Sequence, residues 1–199
     1  MTSKKSSTKT LIISLLAFLI LATGSNQEVQ ETITYYTGLE KDFTEYIQGN
    51  KKVLGANVET AKVNRVIDGD TIVLEDGRTI RLLNVDTPET KKPGVPIMCY
   101  GTESSKFLTA LLEERQVQLI KDEESTDRYG RDLRFVYLDG KNIDNIFQSV
   151  NAELVKLGFA KVAIYQPNDT YETEFYELQD EARKNNLGAW SSCEKPFEN

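Results

Sequence analysis

Alternating apolar and polar positions from about residue 61 onward predict a series of short β-strands. β-Branched and aliphatic residues recur in three runs between residues 61 and 85. The Asp76-Gly77 pair between the second and third runs supplies the positive-φ residue that a tight hairpin needs. This pattern predicts a three-strand meander. Two further strands are expected at residues 116–120 and 133–138.

Apolar residues three and four positions apart predict three helices. The first covers residues 101–114, where four apolar side chains share one face. The second runs from Ile143 to Leu157 and stops at Gly158, and the third lies around residues 175–182. Five strands with interposed helices fit an α+β protein that is mainly β and mostly antiparallel, built as a small Greek-key barrel.

The first 24 residues have the layout of a secretory signal peptide. Three lysines precede a predominantly apolar run of 12 residues, Leu11–Ala22, which ends in small residues. We expect cleavage near Gly24 and a secreted protein. The alternative is a permanent membrane anchor, which would result if the signal were not cleaved. A membrane span needs about 20 apolar residues, however, and this run is shorter.

Residues 25–58 form a polar segment with one helix-like patch of apolar residues at four-residue spacing. The segment is interpreted as a propeptide or linker, and an extra helix packed on the domain is the alternative. Nothing in it carries chemistry. The folded domain is therefore expected to cover residues 59–195.

Charge and composition limit the possible chemistry. The chain has 24 basic and 31 acidic residues, a net charge of −7, and all the acidic residues follow Gly24. Proteins that bind polyanions normally show a basic footprint, so any attraction to a polyanion must be local and salt-sensitive here. Seven of the basic residues can form such a patch: Arg78, Arg81, Lys91, Lys92, Arg128, Arg131 and Lys161. The absence of histidine excludes mechanisms that need an imidazole.

Two cysteines, Cys99 and Cys193, occur in a chain that looks exported. They suggest one disulfide between the segment before the first helix and the tail after Trp190. Two free thiols remain the alternative. A disulfide closing so long a loop would stabilise the fold by about 4 to 5 kcal/mol in the chain-entropy model.

Three short stretches carry the candidate chemistry: residues 66–71, 81–90 and 127–131. Asp70 and Asp86 lie at the ends of predicted neighbouring strands, where their carboxylates can converge on one hard cation. Asp68 is either a third group at this site or a turn cap.

Phosphate chemistry also needs a proton acceptor and cationic groups. Glu89 follows Pro88, which fixes the local backbone, and its carboxylate can take a proton from water. Arg81 and Arg131 come from different elements, so their planar guanidinium groups can grip one phosphate together.

These stretches resemble the motifs of the staphylococcal nuclease family, in the same order, from about Ala61 to Trp190. The resemblance extends to several shorter matches: Tyr100-Gly101, residues 158–163, Pro167-Asn168 and residues 187–190. It implies a five-stranded OB-fold barrel with about three α-helices. It also implies a calcium-dependent endonuclease of low sequence specificity that acts on DNA and RNA and leaves 3′-phosphate ends.

The family's functional residues carry over to matching positions of this sequence. By resemblance, one Ca²⁺ ion is bound by Asp70, Asp86 and the backbone carbonyl of Thr87. Glu89 is the general base, and Arg81 and Arg131 stabilise the transition state. The residues that hold the substrate are Arg128, Tyr129 and Tyr165.

Departures from the family pattern affect the substrate site and its surroundings, and one is that Gly94-Val95 stand where lysines are common. Arg128 replaces the usual lysine, and residues 162–167 are one residue shorter with one tyrosine fewer. An insertion of about seven residues at 143–149 has no assigned role.

A noncatalytic OB-fold module that only binds nucleic acid is the alternative function. Such a module has no reason to carry all five proposed metal and catalytic side chains together, which favours the enzyme. We expect a monomer with no stable protein partner and no stable membrane association once the signal is removed.

Overall fold

Five strands close into a barrel in the part of the chain that the computed structural model describes, residues 58–91, 94 and 96–198. The predicted leader at 1–24 and nearly all of the 25–58 segment lie outside these residues. The strands are β1 (Glu59–Val66), β2 (Thr71–Leu74), β3 (Thr79–Leu82), β4 (Val85–Asp86), β5 (Gln116–Ile120), β6 (Asp132–Leu138) and β7 (Lys161–Val162). The barrel order is β1-β2-β3-β6-β5, with β5 paired back to β1. The predicted five-stranded barrel is confirmed.

The helices lie outside the barrel wall. They are α1 (Gly101–Leu112), α2 (Val150–Lys156), α3 (Glu172–Lys184) and the single-turn α4 (Ala189–Ser192). The predicted start of the second helix at Ile143 is wrong, because Ser149 caps α2 by accepting a hydrogen bond from the Ala152 backbone N–H. Residues 146–148 form a separate 3₁₀ turn. No helix among the described residues is long and apolar enough to span a membrane.

The barrel is closed by one parallel pair of strands. β3 pairs with β6 in parallel, with Arg81 opposite Leu133, whereas the other barrel pairs are antiparallel. The expectation of a mostly antiparallel sheet is therefore met, but the hydrophobic pattern did not indicate the parallel contact. A short second sheet, β4 with β7, places Asp86 opposite Lys161.

A buried asparagine completes the closure where β3 and β6 separate. Asn151 of α2 is fully buried, and its Nδ2 donates to the carbonyls of Leu83 and Arg134 at 2.9 and 3.1 Å. Its Oδ1 accepts from the Val136 N–H at 2.9 Å. Because buried backbone groups need partners, this side chain joins α2 to both strands.

The barrel interior is filled by aliphatic and aromatic side chains from all five strands. Phe135 of β6 is fully buried and meets Tyr171 edge to face at 5.3 Å between ring centroids. Phe175 of α3 lies 6.1 Å from the same ring, so the helical layer packs directly on β6.

We predict that Asn151→Ala lowers the free energy of unfolding by about 3 kcal/mol, because two buried backbone groups, the Leu83 carbonyl and the Val136 N–H, lose their bond to Asn151 and the Arg134 carbonyl keeps only its bond from the Leu83 N–H. Urea denaturation monitored by circular dichroism measures the change. The control is Asn64→Ala at an exposed position on β1, which is expected to change stability by less than about 0.5 kcal/mol. Equal effects of the two substitutions would contradict the role of Asn151 in closure.

Candidate active site

Asp70 is the most buried acidic side chain at the mouth of the barrel. It precedes β2, and its Oδ1 accepts from the Thr71 hydroxyl at 3.0 Å. Its Oδ2 accepts from the backbone N–H and the hydroxyl of Thr87 at 3.0 and 3.1 Å. The carboxylate therefore fixes the start of β2 to the loop after β4.

Gly69 permits this contact by lacking a side chain. A Cβ at residue 69 would lie 2.6 Å from Thr87 Oγ1 and 2.8 Å from Thr87 Cβ. Side-chain atoms of any larger residue would displace Thr87 from Asp70. The glycine is thus required by close approach of the two segments.

Arg81 joins both predicted metal ligands. Its Nη2 lies 3.2 Å from Asp70 Oδ2 and 3.6 Å from Asp86 Oδ1. Its Nη1 donates to the carbonyls of Leu82 and Val85 at 2.7 and 2.8 Å, which fixes the guanidinium plane. The carboxylates of Asp70 and Asp86 therefore both face Arg81 Nη2.

The second sheet supplies another positive charge to this cluster. Asp86 Oδ2 lies 3.4 Å from Lys161 Nζ, across the β4–β7 pair. Both side chains are partly exposed, so this ion pair contributes little to stability.

Asp68 lies beside Asp70, and its Oδ1 accepts from the Asp70 backbone N–H at 3.3 Å. Burial, followed by the negative charge of Asp70, raises the pKa of Asp68 to about 6. The contact is that of a turn cap. Within the described residues, no group of three or more acidic or cysteine side chains forms a metal cluster.

An open cavity of about 470 Å³ places four more of the predicted residues beside Arg81. Arg131, Arg128, Tyr129 and Tyr165 all line it. Arg131 Nε and Nη2 each contact Asp127 Oδ2 at 2.7 Å. Burial alone would raise the pKa of Asp127, but hydrogen bonds from Arg131 and Tyr129 lower it overall.

Two aromatic rings are accessible at this cavity. The side chains of Tyr129 and Tyr165 are 69% and 72% exposed. The guanidinium carbon of Arg128 lies 4.8 Å from the centre of the Tyr129 ring, and that of Arg131 lies 5.5 Å away. These rings offer flat faces on which a base can stack.

Glu89 lies on the loop after β4 and is outside the set of described residues that line the cavity. Its Oε1 accepts from the Lys91 backbone N–H at 2.7 Å. Its backbone N–H donates to Met98 Sδ at 3.2 Å, and its carbonyl accepts from the Met98 N–H at 2.9 Å. The structure thus groups Asp70, Asp86, Thr87 and Arg81, and places Glu89 on the adjoining segment.

Arg78 does not belong to the predicted basic patch. Its guanidinium contacts the carboxylates of Glu59, Asp76 and Asp132, and it is not a cavity residue. The hydrogen bond from Arg78 lowers the pKa of Glu59. Its charge is therefore already neutralised by three acids.

Asn84 is a cavity residue that the sequence analysis missed. It has φ 62°, and it is buried with no hydrogen-bond partner for its amide among the described residues. The only local signal is a polar residue within the apolar run Leu82–Val85.

The structure joins Cys99 to Cys193 by a disulfide, with the Cα atoms 5.9 Å apart. The bond spans 94 residues of sequence and ties the segment before α1 to the tail after α4.

The closed barrel with its outer helices is an OB-fold. A family model described as staphylococcal nuclease homologue matches residues 79–192. A thermonuclease of Staphylococcus hyicus is 41% identical over 140 residues, which cover 69% of this chain and 79% of that protein. A thermonuclease of Staphylococcus intermedius is 40% identical over 153 residues, covering 73% and 87%. Endonuclease YncB of Bacillus subtilis (strain 168) is 38% identical over 175 residues, covering 84% and 77%. The chain therefore belongs to the staphylococcal nuclease family.

We predict that Gly69→Ala lowers the free energy of unfolding by about 2 kcal/mol, because the new methyl group overlaps Thr87. In a Thr87→Ala background the cost is expected to be smaller, since two of the three overlapping atoms are gone. Urea denaturation of the four proteins of this double-mutant cycle gives the coupling. An identical cost of Gly69→Ala in both backgrounds would show that the glycine is not needed for this contact.

Proposed function

We propose that this nuclease is a secreted, calcium-dependent endonuclease that hydrolyses DNA and RNA with low sequence specificity and leaves 3′-phosphate ends. One observation carries the proposal: Asp70 and Asp86 meet the same nitrogen of Arg81, beside a cavity that Arg81 and Arg131 line together. This arrangement combines anionic oxygens for a cation with guanidinium groups for a phosphate.

One Ca²⁺ ion fits the donor set at this point. Asp70, Asp86 and the carbonyl of Thr87 would hold it, and hard cations prefer such oxygen ligands. When bound, the ion neutralises charge on the substrate phosphate.

Proton transfer and stabilisation of the transition state are assigned to different side chains. Glu89 takes a proton from the water that attacks phosphorus, while the bond from phosphorus to the 5′ oxygen breaks and the phosphate stays on the 3′ side. Arg81 and Arg131 stabilise the charge that develops on the phosphate oxygens. The support for Arg81 is its fixed guanidinium plane, set by two backbone carbonyls.

Substrate holding falls to Arg128, Tyr129 and Tyr165. Their position on the cavity wall supports contacts with a terminal phosphate and stacking on bases. Stacking is tolerant of sequence, which agrees with low specificity. With a net charge of −7 on the whole chain, capture relies on these local groups and weakens as salt rises.

Secretion is proposed from the leader-like sequence of residues 1–24. The disulfide between Cys99 and Cys193 agrees with an oxidising compartment. A retained leader would leave the protein tethered to the membrane, and the enzyme is proposed to act as a monomer.

The first test is digestion of DNA and RNA by the full chain with calcium and with a chelator, followed by analysis of the product ends. We expect cleavage only with calcium, and 3′-phosphate ends. Glu89→Gln is expected to lower kcat on the order of a thousandfold. Glu103→Gln, in the exposed first turn of α1, is the matched control and should leave kcat unchanged.

A Glu89→Gln variant as fast as the parent would rule out Glu89 as the base. Binding of nucleic acid without any cleavage, with or without calcium, would instead establish the noncatalytic module.

The arginines have a separate test. Arg81→Lys and Arg131→Lys keep the charge but lose the planar guanidinium, and each is expected to lower kcat on the order of a thousandfold. Arg115→Lys, at an exposed position before β5, is the control and should retain parental kcat. Steady-state kinetics on a short DNA substrate gives these values. If either active-site variant behaves like Arg115→Lys, that arginine has no role in the transition state.

A further inference from the structure

The loop of residues 87–90, which carries Glu89, lies outside every strand and helix and is held at its two ends. At the first end Thr87 donates two hydrogen bonds to Asp70. At the second end Met98 is joined to Glu89 through both backbone groups of Glu89. The position of the Glu89 carboxylate therefore depends on where Met98 is fixed.

Gly101 contacts the same loop from the first residue of α1. A Cβ at this residue would lie 2.7 Å from Thr90 Cγ2, 2.9 Å from the Pro88 carbonyl oxygen and 3.2 Å from that of Glu89. The Gly101 N–H also donates to the Met98 carbonyl at 3.0 Å. Residues 98–101, named the Glu89 support, thus touch the loop at residues 88–90.

The disulfide fixes the Glu89 support to the C-terminal tail. Cys99 lies within the support, and its partner Cys193 is buried in a small cluster with Ala189 and Phe197. Tyr100 of the support and Trp190 pack against this cluster. The tail is therefore an anchor for the segment that touches Glu89.

The tail has contacts with the domain that do not involve the disulfide. The Ala189 N–H donates to the Gly158 carbonyl at 2.9 Å, directly after α2. A Cβ at Gly158 would lie 2.1 Å from the Leu187 carbonyl oxygen, so the two segments touch through their backbones. Opening the disulfide leaves these contacts in place and removes only the covalent link to the support.

We propose that Met98 and Gly101 are positioning residues for Glu89, and that the Cys99–Cys193 bond holds them in place, so that turnover depends on the disulfide. The inference rests on the proposed role of Glu89 as the base. A displacement of about 1 Å at a reacting group costs up to about a hundredfold in rate, whereas binding of substrate elsewhere is unaffected.

The test compares the full chain before and after treatment with dithiothreitol. One thiolate of the dithiol attacks a disulfide sulfur, forms a mixed disulfide and releases one protein thiolate. The second thiolate attacks the reagent's sulfur in that mixed disulfide and releases the other protein thiolate, which leaves two protein thiols and the cyclic oxidised dithiol. We expect kcat to fall about tenfold to a hundredfold with KM for DNA unchanged. Near-UV circular dichroism at the assay temperature must show that the protein stays folded. A loss that follows the unfolded fraction would overturn the proposal.

Three variants separate positioning from general loss of stability. Cys99→Ser with Cys193→Ser is expected to have the low kcat permanently and not to respond to dithiol. Gly101→Ala keeps the disulfide, but its new methyl group overlaps atoms of the Glu89 loop. It should therefore also lower kcat at constant KM. Thr102→Ala, at the exposed next position of α1, is its matched control and should match the parent.

Measurements in the Glu89→Gln background show whether the loss of kcat depends on Glu89. In this background, dithiol and Gly101→Ala are expected to cause no further fall in the residual rate. The same fold-loss as in the parent would overturn the proposal, as would a parental kcat in both the reduced protein and Gly101→Ala. Failure of the proposed function is distinct, because it shows as full activity of Glu89→Gln without any reductant.

Discussion

The parallel contact between β3 and β6 is the constraint on which the site depends. It closes the barrel, and its register places Arg81 opposite Leu133, so that Arg131, just before β6, lies at the same end. Asn151 supplies the hydrogen bonds that the two strands lose where they diverge. An open sheet without this contact would leave the two arginines on separate edges, with no shared cavity.

Around this closure, opposite charges are arranged in fixed pairs. Arg81 contacts Asp70 and Asp86, and Arg131 contacts Asp127. Each guanidinium is held in the absence of substrate, so the transition-state role proposed for the two arginines would need little reorganisation at the moment of reaction, as electrostatic preorganisation requires. The same pairing weakens the long-range attraction of the arginines for an anion. Their positive charges are already partly compensated by carboxylates within a chain of net charge −7.

Local patterns predicted the barrel strands, because strand periodicity is a local property. The shared role of Asp70, Asp86 and Arg81 at one metal and phosphate site stays a prediction. The predicted start of α2 was wrong because the helix begins where Ser149 caps it, although the helical spacing of apolar residues extends further toward the N-terminus. The basic patch wrongly included Arg78, whose partners Glu59 and Asp132 are far away in sequence. The contact of Gly101 with the Glu89 loop was missed for the same reason, since a close backbone approach leaves no local signature.

Asp70 has a consequence for protein engineering. The same carboxylate holds Thr87 through two hydrogen bonds and faces the point that it shares with Asp86 and Arg81. A replacement at this position removes the contacts that hold Thr87 and, under the proposed function, a metal ligand as well, so selection for heat resistance and selection for turnover would act on the same residue. Improvements in thermal tolerance have to come from surfaces remote from the barrel mouth, such as the outer face of α3.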